Sequence, residues 1–448
     1  MELDKHIQTI LKWLTPGIGI KRWLALLVCG IGLLVLGFSF LLRQFSPLPR
    51  IFYYLTLEFI PGGLRIVLFG LGGVTAVIVA LLGINRSLLE PFVETNPETI
   101  TNAVYHYRQH ERGPKIVAIG GGHGLSVLLR GLKQYTSNIT AIVTVADDGG
   151  SSGRLRRELG VLPPGDIRNC IAALADDDAL TTQLFQYRFP STVSKETLKA
   201  NGNGLDGHSF GNLFITAMAK VTGSFERAIL ESERVLTIRG RVLPSTLRDV
   251  TLMADLRTEA ASRGEVSPPV PTPSVRVTGE SSITEAVGAI ERVYLEPDDA
   301  SAYPGAVRAL LEADLIVAGP GSLYTSVLPN LLVPDVARAV EASQAPKVYV
   351  CNVATQRGET DNYSTGDHIA ALEAHIGTGL FPTVLANHNP NADYSPPGVE
   401  LVTSEFPPDA GYRVIATDLV DPAQPRQHDS QKLAKALLQL LREQPSPQ

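Results

Sequence analysis

Two adjacent aspartates, Asp147 and Asp148, end an apolar run and open onto Gly149-Gly150-Ser151-Ser152-Gly153-Arg154. Paired carboxylates suit a hard divalent cation such as Mg²⁺, which takes oxygen ligands and is bound together with substrate phosphates. Small residues followed by an arginine suit the phosphates themselves, because backbone N–H groups reach an anion only where no side chain stands in the way. A cluster of the same kind, Gly120-Gly121-Gly122-His123-Gly124, lies upstream, and Gly319-Pro320-Gly321-Ser322 lies far downstream. Together the three turns point to a pocket for a phosphorylated nucleotide. The alternative for the middle cluster is an Asx turn leading into a short surface helix with solvated arginines.

Further candidates lie between the clusters. Asp166, in Pro-Pro-Gly-Asp-Ile-Arg-Asn, is placed to cap the helix that follows. Facing a crevice instead, it would act as a general base or as a metal ligand beside Asp147 and Asp148. Arg168 can pair with a phosphate or with Asp166, and its neighbour Asn169 shares the position. In Gly-His-Ser-Phe-Gly-Asn, His208 and Ser209 are ligand contacts or a structural histidine and a cap, and Asn212 lies one turn into the same helix. Ser322 and Thr325 are suited to bond phosphate or ribose, though Ser322 is equally a cap. No serine–histidine–acid triad and no metalloprotease motif occurs.

The elements that must hold these residues are legible from periodicity. Lys115–Gly120 reads as a buried strand stopped by glycine, and Leu125, Leu128, Leu129 and Leu132 repeat at helical spacing after it. Residues 139–148 form a second strand, so the domain opens β-α-β, which implies a parallel sheet with right-handed crossovers. The middle is mostly helical. Residues 251–283 read as a small β-rich insertion interrupted by a Pro/Ser-rich loop at 262–274. Residues 313–332 repeat strand, glycine turn and helix start, 347–354 and 412–421 are further strands, and an amphipathic helix capped by Asp429 or Ser430 closes the chain. The fold class expected is α/β, a Rossmann-like doubly wound, mostly parallel sheet. The dinucleotide fingerprint is absent all the same, since Leu125 stands where G-x-G-x-x-G needs its third glycine. That argues against NAD-dependent redox chemistry.

The 448 residues carry a net charge of −6 and no basic block, which argues against a nucleic-acid partner. Three scattered cysteines without metal spacing fit a reducing compartment. Residues 23–42 and 66–84 lack any charge, and at about 1.5 Å per residue each is long enough for a hydrocarbon core of roughly 30 Å. The expected organisation is a cytoplasmic N-terminus (1–22), a membrane anchor of two transmembrane helices (23–84), a polar linker (85–114) and a nucleotide-binding domain (115–448). Lysines and arginines outside the spans favour both ends inside, hence a multi-pass plasma-membrane protein with its large domain in the cytoplasm. A homodimer stays open, as nothing in the sequence sets the oligomeric state.

Five segments in order, "AIGGGHGLSVLLRGL", "VTVADDGGSSGRLR", "LPPGDIRNCIAALA", "GHSFGNLFITA" and "AGPGSLYTSVLPNLLVP", resemble the YvcK-like gluconeogenesis factors, relatives of the CofD 2-phospho-L-lactate transferases. The resemblance runs from about residue 115 to 441 and leaves the apolar N-terminal segment outside. It implies a Rossmann-like fold with the ligand between the glycine turns. It also implies binding of a UDP-sugar of the UDP-N-acetylglucosamine type, and a role in cell shape and wall synthesis during gluconeogenic growth. The transferase branch instead moves a phospholactyl-type group from a nucleoside diphosphate carrier, using Mg²⁺ held by aspartates. Asp147, Asp148 and Asp166 match its acidic positions, whereas "GPGSLYTS" departs from its Gly-Pro-Ser-Asn type of loop and its acceptor site is not recognisable. A ligand-binding regulator and a Mg²⁺-dependent transferase are therefore the two readings carried forward.

Overall fold

The computed structural model describes residues 113–443 apart from 176–179, 191–203, 258–273, 389–398 and 406–410, together with Ile31, residues 59–61 and Leu64. Ile31 excepted, the two apolar stretches expected to span a membrane lie outside the described residues. Among the described residues no helix is long and apolar enough to cross one.

The chain's sheet-forming part opens with β1 (Ile116–Gly120), α1 (Gly122–Leu132) and β2 (Ile139–Val143). All five residues of β1 are buried, as a central parallel strand covered on both faces requires. Leu125, Leu128, Leu129 and Leu132 form the inward stripe of α1, each fully buried. Among the described residues there follow α2 (Gly150–Leu159), α3 (Gly165–Leu174), α4 (Leu180–Gln186), α5 (Phe210–Thr222) and α6 (Phe225–Leu236). They lead to β3 (Arg241–Pro244), which pairs with β2.

An insertion then leaves the sheet. Its strands β4 (Thr251–Arg257), β5 (Ser274–Thr278) and β6 (Ala289–Glu296) form a separate antiparallel sheet in the order β5-β4-β6, with the short helix α7 (Glu280–Glu285) between β5 and β6. The chain returns through α8 (Pro304–Leu311) to β7 (Leu315–Ala318). A π-helical turn (Leu323–Val327) continues into α9 (Leu328–Leu331), then come α10 (Pro334–Ala342), β8 (Lys347–Val350) and α11 (Thr365–Ile376). β9 (Thr383–Asn387), β10 (Arg413–Thr417) and α12 (Ser430–Glu443) complete the domain. Asp429 Oδ1 accepts from the N–H groups of Gln431 and Lys432, each at 2.9 Å, and so caps α12 as its position in the sequence suggested.

The main sheet has seven strands in the order β10-β9-β8-β7-β1-β2-β3, and every pairing in it is parallel. The chain therefore winds outward from β1 to β3, crosses back, and winds the other way from β7 to β10. Right-handed crossovers put the helices of these two halves on opposite faces of the sheet. The order reverses between β1 and β7, and there the loops beyond the strand ends part. A doubly wound sheet binds its ligand at such a switch point. Strands β3, β6 and β9 and helices α8, α10 and α11 were not legible from the sequence; β3 and β9, at four and five residues, are too short to show a period.

Candidate functional site

A cavity of about 780 Å³ opens at the switch point, walled by the loops that follow β1, β2, β7 and β8 and by the starts of α1, α2 and α3. All three glycine turns reach it. Gly121, Gly122, His123 and Gly124 come from the first, Gly149, Gly150, Ser151 and Ser152 from the second, Gly321 and Ser322 from the third. Asp147, Asp166, Arg168, Asn169, Asn212 and Thr325 also line it.

The unusual glycine spacing has a packing cause. A Cβ on Gly124 would lie 2.7 Å from the Pro320 carbonyl oxygen and 2.8 Å from Gly321 Cα, both backbone atoms that cannot swing aside. The glycine of closest approach is thus at 124, where α1 passes the β7 turn. Leu125, at the position the dinucleotide fingerprint reserves for glycine, points into the core.

The remaining predicted residues stand behind the wall and hold it. Gly120 ends β1, and Gly319 follows β7 with φ +81°. His208 Nδ1 is 2.9 Å from Ser151 Oγ, and Ser209 Oγ accepts from Arg168 Nη1 at 2.6 Å. Neither Asp166 nor Ser209 makes a side-chain cap in its helix. Arg154 donates through Nη2 to the Asp206 carbonyl at 2.6 Å. Asp148 is not a partner of Asp147 in the cavity. Its Oδ1 accepts from both the N–H and the hydroxyl of Ser281, each at 2.9 Å, which clamps the first turn of α7 to the loop before α2. The expected pairing of the two aspartates therefore needs correction, because Ser281 of α7 holds the Asp148 carboxylate and Asp147 alone lines the cavity.

Glu280, the first residue of α7, takes the place beside Asp147. Burial and the charges of Asp147 and Asp166 push Glu280 up to about 10, so it holds a proton and hydrogen-bonds to Asp147. Asp147 is itself raised by burial, although the Gly149 N–H (2.8 Å) and the Ser152 hydroxyl pull the other way. Asp166 rises to about 7 through burial and the nearby Asp147, with the Gly122 N–H opposing. Helix starts favour negative charge, yet three carboxyls in one crevice cannot all ionise without a cation.

The donor set is oxygen alone, which fits Mg²⁺. Among the described residues no group of three or more His, Cys, Asp or Glu has the spacing to hold a metal ion by itself. Asp147, Asp166 and Glu280 therefore do not make a metal site on their own, and any ion beside them would need ligand oxygens from the phosphates.

Arg168 faces the same space and is 9% exposed. Its Nη groups meet only neutral partners, Ser209 Oγ and Asn169 Oδ1 (2.5 Å), and its Nε has no partner. Burial and the neighbouring Arg188 lower it to about 10. Asn212 is buried against Ser152 with its Oδ1 unpaired. Sequence reasoning missed Glu280, Arg188, Asn352, Gln356, Arg357, Glu359, Arg426 and His428, all of which line the cavity. Glu280 opens α7 and the others sit on loops after α4, β8 and β10, and their types alone gave no spacing to read.

Residues 116–420 match the family described as 2-phospho-L-lactate transferase CofD. The gluconeogenesis factor of Bacillus subtilis (strain 168) is 45% identical over 339 residues, covering 74% of this chain and 99% of that protein. The gluconeogenesis factor of Halalkalibacterium halodurans is 49% identical over 278 residues, or 62% of this chain and 79% of that one. A crystal structure of a UPF0052 family member from Bacillus halodurans superposes with a TM-score of 0.63 at 43% identity, covering 73% of this chain and 99% of the other. The chain belongs to the CofD family, among relatives of the gluconeogenesis-factor type.

Proposed function

We propose that the chain is a receptor for a nucleotide sugar of the UDP-N-acetylglucosamine type, which regulates cell shape and wall synthesis under gluconeogenic growth. The diphosphate would lie between the first two glycine turns beside Arg168, and Asp147 is the residue that would hold an accompanying Mg²⁺. Arg168 carries this reading. A buried guanidinium with only neutral partners and a free Nε is a cation waiting for an anion. The cavity can take a whole nucleotide sugar, since ligand sites of this kind span roughly 300–1,000 Å³.

Calorimetry of the purified full chain against UDP-N-acetylglucosamine in magnesium buffer tests it. The expected result is saturable binding at one site per chain. Absence of binding to every UDP-sugar tried would refute it.

One observation favours a second reading, a CofD-like transferase. Asp166 titrates close to neutrality within the cavity, as a general base must. It would take the proton of an acceptor hydroxyl as that oxygen bonds to the donor's phosphorus, and a nucleoside monophosphate would depart with the electrons of the broken P–O bond. Mg²⁺, when bound, would neutralise the phosphates in that step. Mass spectrometry of donor–acceptor mixtures decides between the readings, because a receptor leaves every donor intact.

Residues 23–42 and 66–84 would fix this domain to the inner face of the plasma membrane. Carbonate-resistant sedimentation with membranes supports the anchor, and release by carbonate opposes it.

A further inference from the structure

Glu359 lies on the loop that leaves β8, is 7% exposed, and faces the cavity. Its Oε1 accepts from Thr325 Oγ1 at 3.1 Å, and the N–H groups of Tyr324 and Thr325 also stabilise its charge. The carboxylate thus occupies the helix start that follows β7, where the third glycine turn suggested a phosphate. Two anions cannot share that start, so the third turn serves a different part of the ligand from the first two.

What Glu359 leaves over is specific. Its Oε2 is buried and has no hydrogen-bond partner. The side-chain amides nearby are committed, Gln356 Nε2 donating to Ser322 Oγ at 2.8 Å and Asn352 Nδ2 to the Gly321 carbonyl at 3.0 Å, while the Ser322 hydroxyl, like Thr325, stabilises the charge of Glu359. A buried carboxylate oxygen without a donor is costly, and here it faces a cavity rather than the core. The group it fits is an O–H, since a hydroxyl donating to a carboxylate makes a short, charge-assisted bond.

We propose that Glu359, steadied by Thr325 and flanked by Ser322, reads a sugar hydroxyl of the ligand through Oε2. The cavity is then bipolar, with Arg168 and the first two glycine turns taking the phosphates and the β7–β8 wall taking a sugar ring. This assignment rests on the nucleotide-sugar reading above. The hydroxyl belongs either to the ribose or to the hexose, and the chemistry of recognition is the same for both.

The test measures binding of UDP-N-acetylglucosamine, UDP and inorganic pyrophosphate to the full chain and to its Glu359→Ala and Glu359→Gln variants, in magnesium buffer. Pyrophosphate has no hydroxylated ring, so its affinity also reports whether each variant has kept its fold; Glu359→Gln retains an acceptor for Thr325 should the alanine variant not fold. The expected result is a loss of about tenfold or more for UDP-N-acetylglucosamine with less than about a twofold change for pyrophosphate. An equal loss with UDP identifies the ribose, and a loss confined to the nucleotide sugar identifies the hexose. Equal weakening of all three probes, or unchanged binding of all three, overturns the assignment while leaving the nucleotide reading intact. If the parent chain binds no probe, the nucleotide reading falls and takes this assignment with it.

Discussion

At the scale of single residues, Arg168 is the side chain whose surroundings most demand a ligand. Replacing it with methionine removes a buried guanidinium whose hydrogen-bond partners are neutral, although Asp166 and Asp147 lie near enough to favour its charge, and keeps most of the volume. The expected outcome is at least about thirtyfold weaker nucleotide binding by calorimetry, with the fold retained in circular dichroism. Strong binding by that variant would move the phosphates elsewhere. The acids give a second prediction. Asp166 rises from 3.8 to about 7, Glu359 from 4.5 to about 7 and Glu280 from 4.5 to about 10, each mainly through burial. The folded chain keeps protons that the unfolded chain loses near pH 4, so this stability is present at low pH and is lost as pH rises through the folded values. Buried histidines act in the opposite sense below about pH 6.5, with His428 held near 4. The clean window is therefore pH 6.5 to 9, where the melting temperature of the ligand-free chain is expected to fall; a flat or rising profile contradicts it. The sequence made Asp147 and Asp166 legible through their company of glycines. It could not show that Asp148 turns away onto Ser281, nor that Glu280 arrives from an insertion so distant in the chain.

The next scale is that of the elements and their contacts. The first glycine cluster does two jobs: it opens the turn beside Asp166 and lets α1 pass the β7 turn at backbone distance. Gly124→Val would drive a side chain into Pro320 and Gly321. Because the obstacle is backbone, the expected cost is about 2 kcal/mol or more in urea unfolding, together with loss of nucleotide binding. An unchanged midpoint would mean that the two turns are not in contact. The strand–turn–helix units at 115–132 and 313–332 were readable because glycine punctuates a buried run. The π-helical turn after β7 was not, since Leu323–Val327 has the same apolar composition as an ordinary helix start. The insertion was readable as β-rich, but its role was not. Its short helix α7 is clamped by Asp148 and delivers Glu280 to the cavity, a tertiary contact without local signal.

For the whole molecule, strand order is what turns scattered turns into one site. Only an arrangement that places β1 between β2 and β7 brings the three glycine clusters to the same opening. Alternation of strands and helices implied a doubly wound sheet, but neither the reversal between β1 and β7 nor the number of strands follows from alternation. The five motif segments implied by resemblance a Rossmann-like fold with the ligand between the glycine turns, but not the strand order that brings those turns together.

The most direct measurement is a crystal structure of the chain with UDP-N-acetylglucosamine and Mg²⁺. The account predicts density for the diphosphate between Gly121–Gly124 and the start of α2, within hydrogen-bond reach of Arg168, with a metal ion against Asp147. Ligand density outside this cavity, or a diphosphate held at the β7 turn against Glu359, would contradict it.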